Sequence, residues 1–178
     1  MVHSPSAMDA SVLKVPDAGH SWVVLHARPR CEKKIVDFCG RNEMPVYLPL
    51  RRKSHRYGSR ERSFDSPLFP GYTFCVATPQ QRSLLRQNRY VANLLEVADQ
   101  AKLVDQLQQI ATALDVGDVV EVMPYLEAGK QVRVTGGPLK GLEGIVARIK
   151  GKTKVVISVD MIRQSVAMEV DSSYLSPV

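Results

Sequence analysis

The chain has 178 residues, of which 44% are hydrophobic and 24% are charged. This composition is typical of a globular protein with one or two domains. No apolar run approaches the ~18 residues that cross a bilayer, so we expect no membrane contact through a spanning segment. The first twenty residues hold one lysine and no apolar block, which argues against a secretory signal. Cys31, Cys39 and Cys75 form no CxxC pair, which indicates reduced thiols and a cytoplasmic protein.

Positive charge is concentrated in the first half of the chain. Lys and Arg number 24 against 18 Asp and Glu, a net charge of +6. Residues 20–95 contain 14 basic and 5 acidic residues, whereas residues 96–178 contain 9 and 11. This asymmetry predicts two units with different partners, the first of which binds nucleic acid or an acidic protein surface. The alternative is that the basic residues only solvate a surface.

The pattern at the start of the chain predicts a mobile tail over residues 1–19, followed by a buried strand at 22–26. An amphipathic helix should follow the Arg28-Pro29-Arg30 turn, with Ile35 and Cys39 facing inward and Glu32 facing out. Pro45 and Pro49 interrupt the apolar run 44–50, which favours an edge strand.

The segment 51–62 carries six basic residues and one Glu, with Gly58-Ser59 at its centre. It predicts a hairpin that projects into solvent or onto a polyanion. Four further elements are expected: a strand at 72–76 after the Pro70-Gly71 turn, a helix at 79–88 capped by Thr78, a strand at 90–97, and a helix capped by Asp99 with the apolar stripe Leu103, Val104, Leu107, Ile110, Ala111 and Leu114.

The second half reads as short strands without a helix. Periodicity lapses at 116–128, which we interpret as a linker. Strands are expected at 130–135, 142–150, 153–159 and 165–170, a spacing typical of a small barrel. The fold class is therefore α+β: an antiparallel four-stranded sheet flanked by helices over residues 20–115, and a small β-barrel over residues 129–178.

The sequence contains no recognisable catalytic motif. The four histidines are scattered, no Cys/His spacing matches a zinc site, and neither a GxSxG elbow nor a phosphate-binding GxxxxGK[ST] loop occurs. We therefore expect a protein that is not an enzyme and that needs no metal or cofactor.

Two groups of residues indicate binding instead. The first is an aromatic set; a sheet covered by helices on one face would expose it as an apolar patch for a protein partner, although core packing is the alternative. The second is a basic set that would contact phosphates without reading sequence. The aromatic set is Trp22, Tyr47, Phe69, Tyr72 and Phe74; the basic set is Arg28, Arg30, Lys33, Lys34, Arg51, Arg52, Lys53, Arg56, Arg82, Arg86 and Arg89.

Two parts of the chain resemble the two domains of a known family. Residues 22–26 (WVVLH) and Leu68-Phe69-Pro70-Gly71-Tyr72 before an apolar strand resemble the amino-terminal domain of NusG-type transcription elongation factors. Residues 129–146 resemble the KOW motif of their carboxy-terminal domain. The matching KOW positions are Val132, Val134, Gly136, Pro138, Gly141, Gly144 and Val146. In this order, the resemblance covers about residues 20–178.

The resemblance implies a function. The first domain would dock on the clamp helices of bacterial RNA polymerase through Trp22, Phe69, Tyr72 and Phe74, bridge the DNA cleft and suppress pausing or termination. The KOW domain would be an SH3-like barrel that recruits Rho or a ribosomal protein, and the protein would act as a monomer. Residues expected close to upstream or non-template DNA are Arg28, Arg30, Lys33, Arg51, Arg52, Arg56, Arg82, Arg86 and Arg89.

Details of the sequence favour a specialised member of this family. The extra amino-terminal tail and the strand end at 161–170 differ from the pattern of the housekeeping members. The Ser66-Pro67-Leu68-Phe69-Pro70 lead-in resembles specialised members such as RfaH and the capsule-locus antiterminators, which implies an operon-specific role. The β-branched run 155–159 predicts a barrel rather than a helical hairpin. The alternative function is a ribosome-associated or RNA-binding KOW protein, which would bind free RNA with a steep salt dependence.

Overall fold

The computed structural model describes residues 9–116, 120–126 and 128–178. Its contacts divide the chain into two compact units, Met1–Gln100 and Ala101–Val178. The sequence predicts a linker between the units at residues 116–128. The structure instead divides the chain after Gln100, which groups the last helix of the chain, residues 100–116, almost entirely with the second unit.

The first unit contains a four-stranded antiparallel sheet. Its elements are β1 (Ser21–Ala27), α1 (Glu32–Arg41), β2 (Val46–Tyr47), β3 (Leu50–Tyr57), β4 (Arg60–Pro67), β5 (Tyr72–Ala77), α2 (Pro79–Gln87) and β6 (Val91–Glu96). The strand order is β2-β5-β1-β6, and β3 and β4 form a separate two-stranded sheet. β2 lies at the sheet edge, as Pro45 and Pro49 predict.

One hydrophobic cluster of this unit lies on one face of the sheet. Val23 and Leu25 of β1 and Cys75 of β5 pack there with Ile35 and Cys39 of α1. The sulfur atoms of Cys39 and Cys75 are 3.7 Å apart. The hydrogen bond with Cys39, together with burial, raises the pKa of the Cys75 thiol, so this pair packs as core. The helical spacing predicts the inward position of Cys39 correctly, whereas Cys31 is half-buried.

The helix ends follow known capping chemistry. The Thr78 hydroxyl accepts from the Gln81 N–H at 3.2 Å, and the Gln81 side chain accepts from the Thr78 N–H at 2.9 Å. This capping box, with Pro79 at the first helical position, begins α2 where the sequence predicts it.

Glu32 corrects the interpretation of α1. Helical spacing predicts that it faces solvent, yet it is only 8% exposed, and α1 buries Glu32, Ile35, Val36 and Cys39. The carboxylate has a specific partner outside the helix, described below.

The segment before β1 contains more structure than the expected mobile tail. A 3₁₀ turn at Ala10–Val12 is capped by Asp9, and Leu13 is 3% exposed. The carbonyl of Lys14 accepts a hydrogen bond from the Trp22 indole N–H at 2.9 Å. Residues 1–8 of the predicted tail lie outside the described residues.

The second unit is built on a six-stranded antiparallel sheet. It follows α3 (Gln100–Val116), whose buried side chains include Leu103, Leu107 and Ile110, with Ala113 rather than Leu114 continuing the stripe. The strands are β7 (Glu121–Pro124), β8 (Lys130–Val134), β9 (Glu143–Ile149), β10 (Lys152–Val159), β11 (Gln164–Glu169) and β12 (Leu175–Pro177), in the order β12-β8-β9-β10-β11-β7.

Four of these strands lie where the sequence predicts them. β7 falls inside the expected linker and pairs with β11, and β12 is additional. Residues 155–159 lie in β10, so the expected strand form is confirmed. Closure of the sheet into a barrel stays a prediction.

Candidate functional site

A turn between β4 and β5 positions Tyr72. Leu68 and Phe69 are both 0% exposed and hold the chain before the turn. Gly71 has a φ of +89°, a conformation that favours glycine. Its carbonyl accepts from the Ala27 N–H at 2.7 Å, which joins the turn to the end of β1.

The buried Glu32 side chain ties this turn to α1. Its Oε1 accepts a hydrogen bond from the Gly71 N–H at 2.8 Å. A hydrogen bond to a charged acceptor in a buried setting is stronger than one between neutral groups. The turn that presents Tyr72 is therefore fixed from both the sheet and the helix.

Tyr72 is the accessible member of the aromatic set, and its ring stacks on His26. The register pairs His26 with Tyr72, and their rings stack with centroids 5.2 Å apart and planes at 21°. His26 is exposed and Tyr72 is half-buried. The stacked rings lie where β1 ends and β5 begins.

The other aromatic residues are buried. Trp22, Phe69 and Phe74 are all 0% exposed, and Tyr47 is 2% exposed. Trp22 is also held by Gln100, whose side chain accepts from the Trp22 N–H at 2.6 Å and donates to its carbonyl at 3.1 Å. The expected exposure of this set is thus wrong for Trp22, Tyr47, Phe69 and Phe74, which pack as core residues, the stated alternative. The proposed role of Trp22, Phe69 and Phe74 in binding a partner stays a prediction.

The basic residues near α2 are partly neutralised. Glu96 lies 2.8 Å from Arg86 and 3.8 Å from Arg82. Arg82 also donates to the Ser21 hydroxyl at 3.3 Å. These arginines therefore stabilise the junction of α2, β1 and β6 besides adding charge.

A second basic group surrounds Tyr90. The Arg89 guanidinium is 4.9 Å from the ring centroid and donates to the phenol oxygen at 2.7 Å. The Lys34 ammonium is 5.3 Å from the same centroid. Arg28, whose N–H donates to the Tyr90 carbonyl at 2.9 Å, and Arg30, in the left-handed region at φ +60°, are both exposed.

The third basic group is the β3–β4 hairpin, with Gly58-Ser59 between the strands as predicted. Arg52 and Arg56 are exposed, and Arg51 is half-buried. Lys33 of α1 donates to the Asp65 carbonyl at 3.4 Å, which connects the hairpin to the helix. The contacts of the predicted basic residues thus fall into three groups.

The KOW positions have structural roles in the second unit. Val132 and Val134 of β8 are buried, and Val146 of β9 is half-buried. Gly136, Pro138 and Gly141 lie in the connection between β8 and β9.

Gly144 allows β9 and β10 to approach closely. A Cβ at this position would lie 2.4 Å from the Val156 carbonyl oxygen and 2.9 Å from a Val155 methyl. Since the nearest atom belongs to the backbone, a side chain here would force the strands apart.

Comparison with protein families decides the identity of the chain. A family model described as "Transcription termination factor nusG" matches residues 20–114, more than half of the chain. The chain belongs to the NusG family. A KOW motif model matches residues 128–160. A search of curated proteins gave no match.

Membership of the NusG family gives a coarse function. The chain is a transcription elongation or termination factor that carries a NusG domain and a KOW motif.

Among the residues that the structure describes, no group of three His, Cys, Asp or Glu is placed to hold a metal ion. Within the same residues, no helix is long and apolar enough to cross a membrane.

Sequence reasoning missed two residues that shape this NusG site. Glu32 and Gln100 act through backbone groups that are 39 and 78 positions away. A single helix pattern does not reveal such partners. An acidic residue in the first helical turn is also the expected partner of the helix dipole, so its charge alone gives no signal.

Proposed function

We propose that this NusG-family protein docks on the clamp of a transcribing bacterial RNA polymerase and suppresses pausing or termination. The observation that carries the proposal is the anchored Tyr72 turn beside exposed basic groups. The turn is fixed by Glu32 and by β1, so Tyr72 is presented without a loss of loop entropy on binding.

The contact surface would consist of Tyr72 and His26, supported by buried aromatic residues of the same unit. Phe69, Phe74 and Trp22 would act as support, because they are 0% exposed. An aromatic residue on a rigid base is the usual anchor of a protein interface. The proposal therefore separates one contacting residue of the predicted set from three supporting ones.

The basic groups would lie along DNA held by the polymerase. Arg28, bonded through its N–H to the Tyr90 carbonyl, and Arg30 are exposed, and the hairpin adds a second basic surface. Contacts of this kind fix orientation through phosphates rather than through base sequence. Upstream and non-template DNA are the proposed partners of these residues.

The second unit would recruit a further factor. The proposed partner is Rho or a ribosomal protein, and the protein would act as a monomer on a specific operon, like RfaH-type antiterminators. The strand form of residues 155–159 fits the KOW motif found here.

The test is binding to purified bacterial elongation complexes, with the lifetimes of paused transcripts measured on the same samples. We expect tight binding and shorter pauses. Tyr72→Ala should weaken binding about tenfold or more, as for an interface anchor, while Tyr72→Phe keeps the ring over His26 and serves as the matched control. A wild-type protein that ignores an active cognate polymerase but binds free RNA would instead support the ribosome-associated or RNA-binding alternative.

Adding Rho or purified ribosomal proteins to the bound complexes tests the second unit. Recruitment that is lost when residues 120–178 are removed would support the proposed role. Equal recruitment by the shortened chain would contradict it.

A further inference from the structure

The hairpin has two faces that differ in chemistry. β3 and β4 pair in register from Leu50 and Pro67 to Tyr57 and Arg60. Because side chains alternate along a strand, the register assigns each position to one of two faces. The face that we call the aromatic face carries Arg51, Lys53, His55, Arg60, Arg62, Phe64 and Ser66. The face that we call the paired face carries Arg52, Ser54, Arg56, Glu61, Ser63 and Asp65.

Charge is balanced on the paired face. Arg52 lies opposite Asp65, with Nε 3.7 Å from Oδ1, and Arg56 lies opposite Glu61. Two cations and two carboxylates give this face no net charge. Its arginines therefore have carboxylates nearby to screen them from an approaching anion.

Charge is unbalanced on the aromatic face. Among its positions, four carry a cation and none carries a carboxylate. Lys53 faces Phe64 across the strands, and Arg62 faces His55. Arg60 and Arg62 are two residues apart on one strand, so their Cα atoms lie about 7 Å apart along it.

Two exposed rings lie within this row of cations. Phe64 is 47% exposed, although it is a large apolar side chain. The rings of His55 and Phe64 are nearly parallel, at 8°, with centroids 6.0 Å apart. Exposed rings between cations form the platform on which single-stranded nucleic acids stack their bases while basic side chains hold the phosphates.

We infer that the aromatic face binds single-stranded DNA, with bases stacking on Phe64 and His55 and phosphates held by Lys53, Arg60 and Arg62. The inference rests on the proposed function, since a transcribing polymerase keeps a stretch of DNA single-stranded. Duplex DNA is a poorer fit, because its bases are already stacked and its backbone needs only charge. Of the predicted hairpin residues, Arg51 belongs to this face, whereas Arg52 and Arg56 lie on the other.

The test is fluorescence anisotropy of the full chain with a labelled oligo-dT of fifteen nucleotides, at several salt concentrations. Arg60→Gln with Arg62→Gln should weaken binding about tenfold and lower the salt slope by about 1.4, because each phosphate contact contributes about 0.7. Phe64→Ala should weaken binding about fivefold or more and leave the salt slope unchanged, because stacking releases no counterions.

Arg52→Gln with Arg56→Gln is the matched control, because it removes the same charge from the paired face. We expect its affinity to stay within about twofold of wild type. Equal losses from both double variants, or an unchanged Phe64→Ala affinity, would overturn the inference and leave only a diffuse electrostatic attraction.

Oligo-rU and duplex DNA of the same length complete the experiment. Tighter binding of either probe than of oligo-dT would also overturn the inference. The assay contains no polymerase, so its result is independent of whether the protein docks on an elongation complex. Thermal melting of each variant checks that the fold is intact.

Discussion

The Tyr72 turn and the β3–β4 hairpin are neighbours in the chain, yet they are held in different ways. Leu68 and Phe69, at the start of the turn, are buried, and the Glu32 carboxylate accepts a hydrogen bond from the Gly71 N–H. The hairpin forms its own two-stranded sheet, and most of its side chains are exposed. A contact that depends on shape needs a fixed base, whereas a contact with a flexible polyanion needs mainly displayed charge and exposed rings.

The largest effect expected from this comparison comes from the buried base of the turn. Phe74→Ala removes a ring that is 0% exposed and leaves a cavity. We expect a loss of about 3–5 kcal/mol in the free energy of unfolding. Denaturant titration measures it, with Tyr72→Ala as the control that should lose less than about 1 kcal/mol, since this side chain is half-buried. Similar losses for both variants would contradict the distinction between support and contact.

The second effect concerns the link between α1 and the turn. Glu32→Ala leaves the Gly71 N–H without its acceptor. We expect a loss of about 1.5–3 kcal/mol, the range for hydrogen bonds to charged groups. Polymerase affinity should fall as well, because Tyr72 is then less well positioned. A chain of wild-type stability whose affinity is unchanged would show that the turn is fixed by Leu68 and Phe69 alone.

Part of this comparison could be read from the sequence. Gly58-Ser59 predicts the hairpin tip. The position of the tip sets the strand register, which places Arg52 and Lys53 on opposite faces of the hairpin. Thr78 and Pro79 likewise predict the start of α2. These features depend on residues that are near one another in the chain.

The remainder depends on distant contacts. Helical periodicity places Glu32 outward, and only its bond to Gly71 shows why it is buried. The apolar pattern of β1 and β5 shows that both faces can be buried, but it does not show that Trp22 and Phe74 are covered. β7 was missed because Gly117 and Pro124 break the local pattern, whereas its pairing with β11 is made about 40 positions away.

A third, smaller effect tests whether an anchoring carboxylate also matters in the second unit. Asp160 Oδ2 lies 2.5 Å from the Lys102 ammonium, and Oδ1 accepts from the Tyr125 hydroxyl at 2.7 Å. Burial raises the pKa of Asp160, but hydrogen bonds from Lys102, Tyr125 and Gln106 outweigh it and lower the pKa below its ordinary value.

A lowered pKa means that the unfolded chain binds the proton more tightly than the folded chain does. The stability that ionised Asp160 contributes is therefore complete above the ordinary aspartate pKa and is lost as the pH falls through the lower, folded-state pKa. We expect Asp160→Asn to melt below the wild type near neutral pH, and the difference to shrink below about pH 4. Glu169→Gln, which breaks the exposed Lys152–Glu169 pair, is the control. A difference that does not change with pH would mean that Asp160 stabilises by packing alone.

The smallest effect is expected on the paired face of the hairpin. Arg52 and Asp65 are separated by 3.7 Å, and the Arg52 side chain is 77% exposed. Exposed pairs of this kind contribute less than about 1 kcal/mol. Arg52→Gln with Arg56→Gln should therefore leave the denaturant midpoint nearly unchanged.

Replacing Arg60 and Arg62 by Gln should likewise leave stability unchanged, because these side chains are also exposed. If both pairs leave the fold intact and only Arg60 and Arg62 affect oligo-dT affinity, the two faces differ in function and not in stability. A large loss of stability from either pair would show that the hairpin, like the turn, is anchored to the sheet unit through its charges.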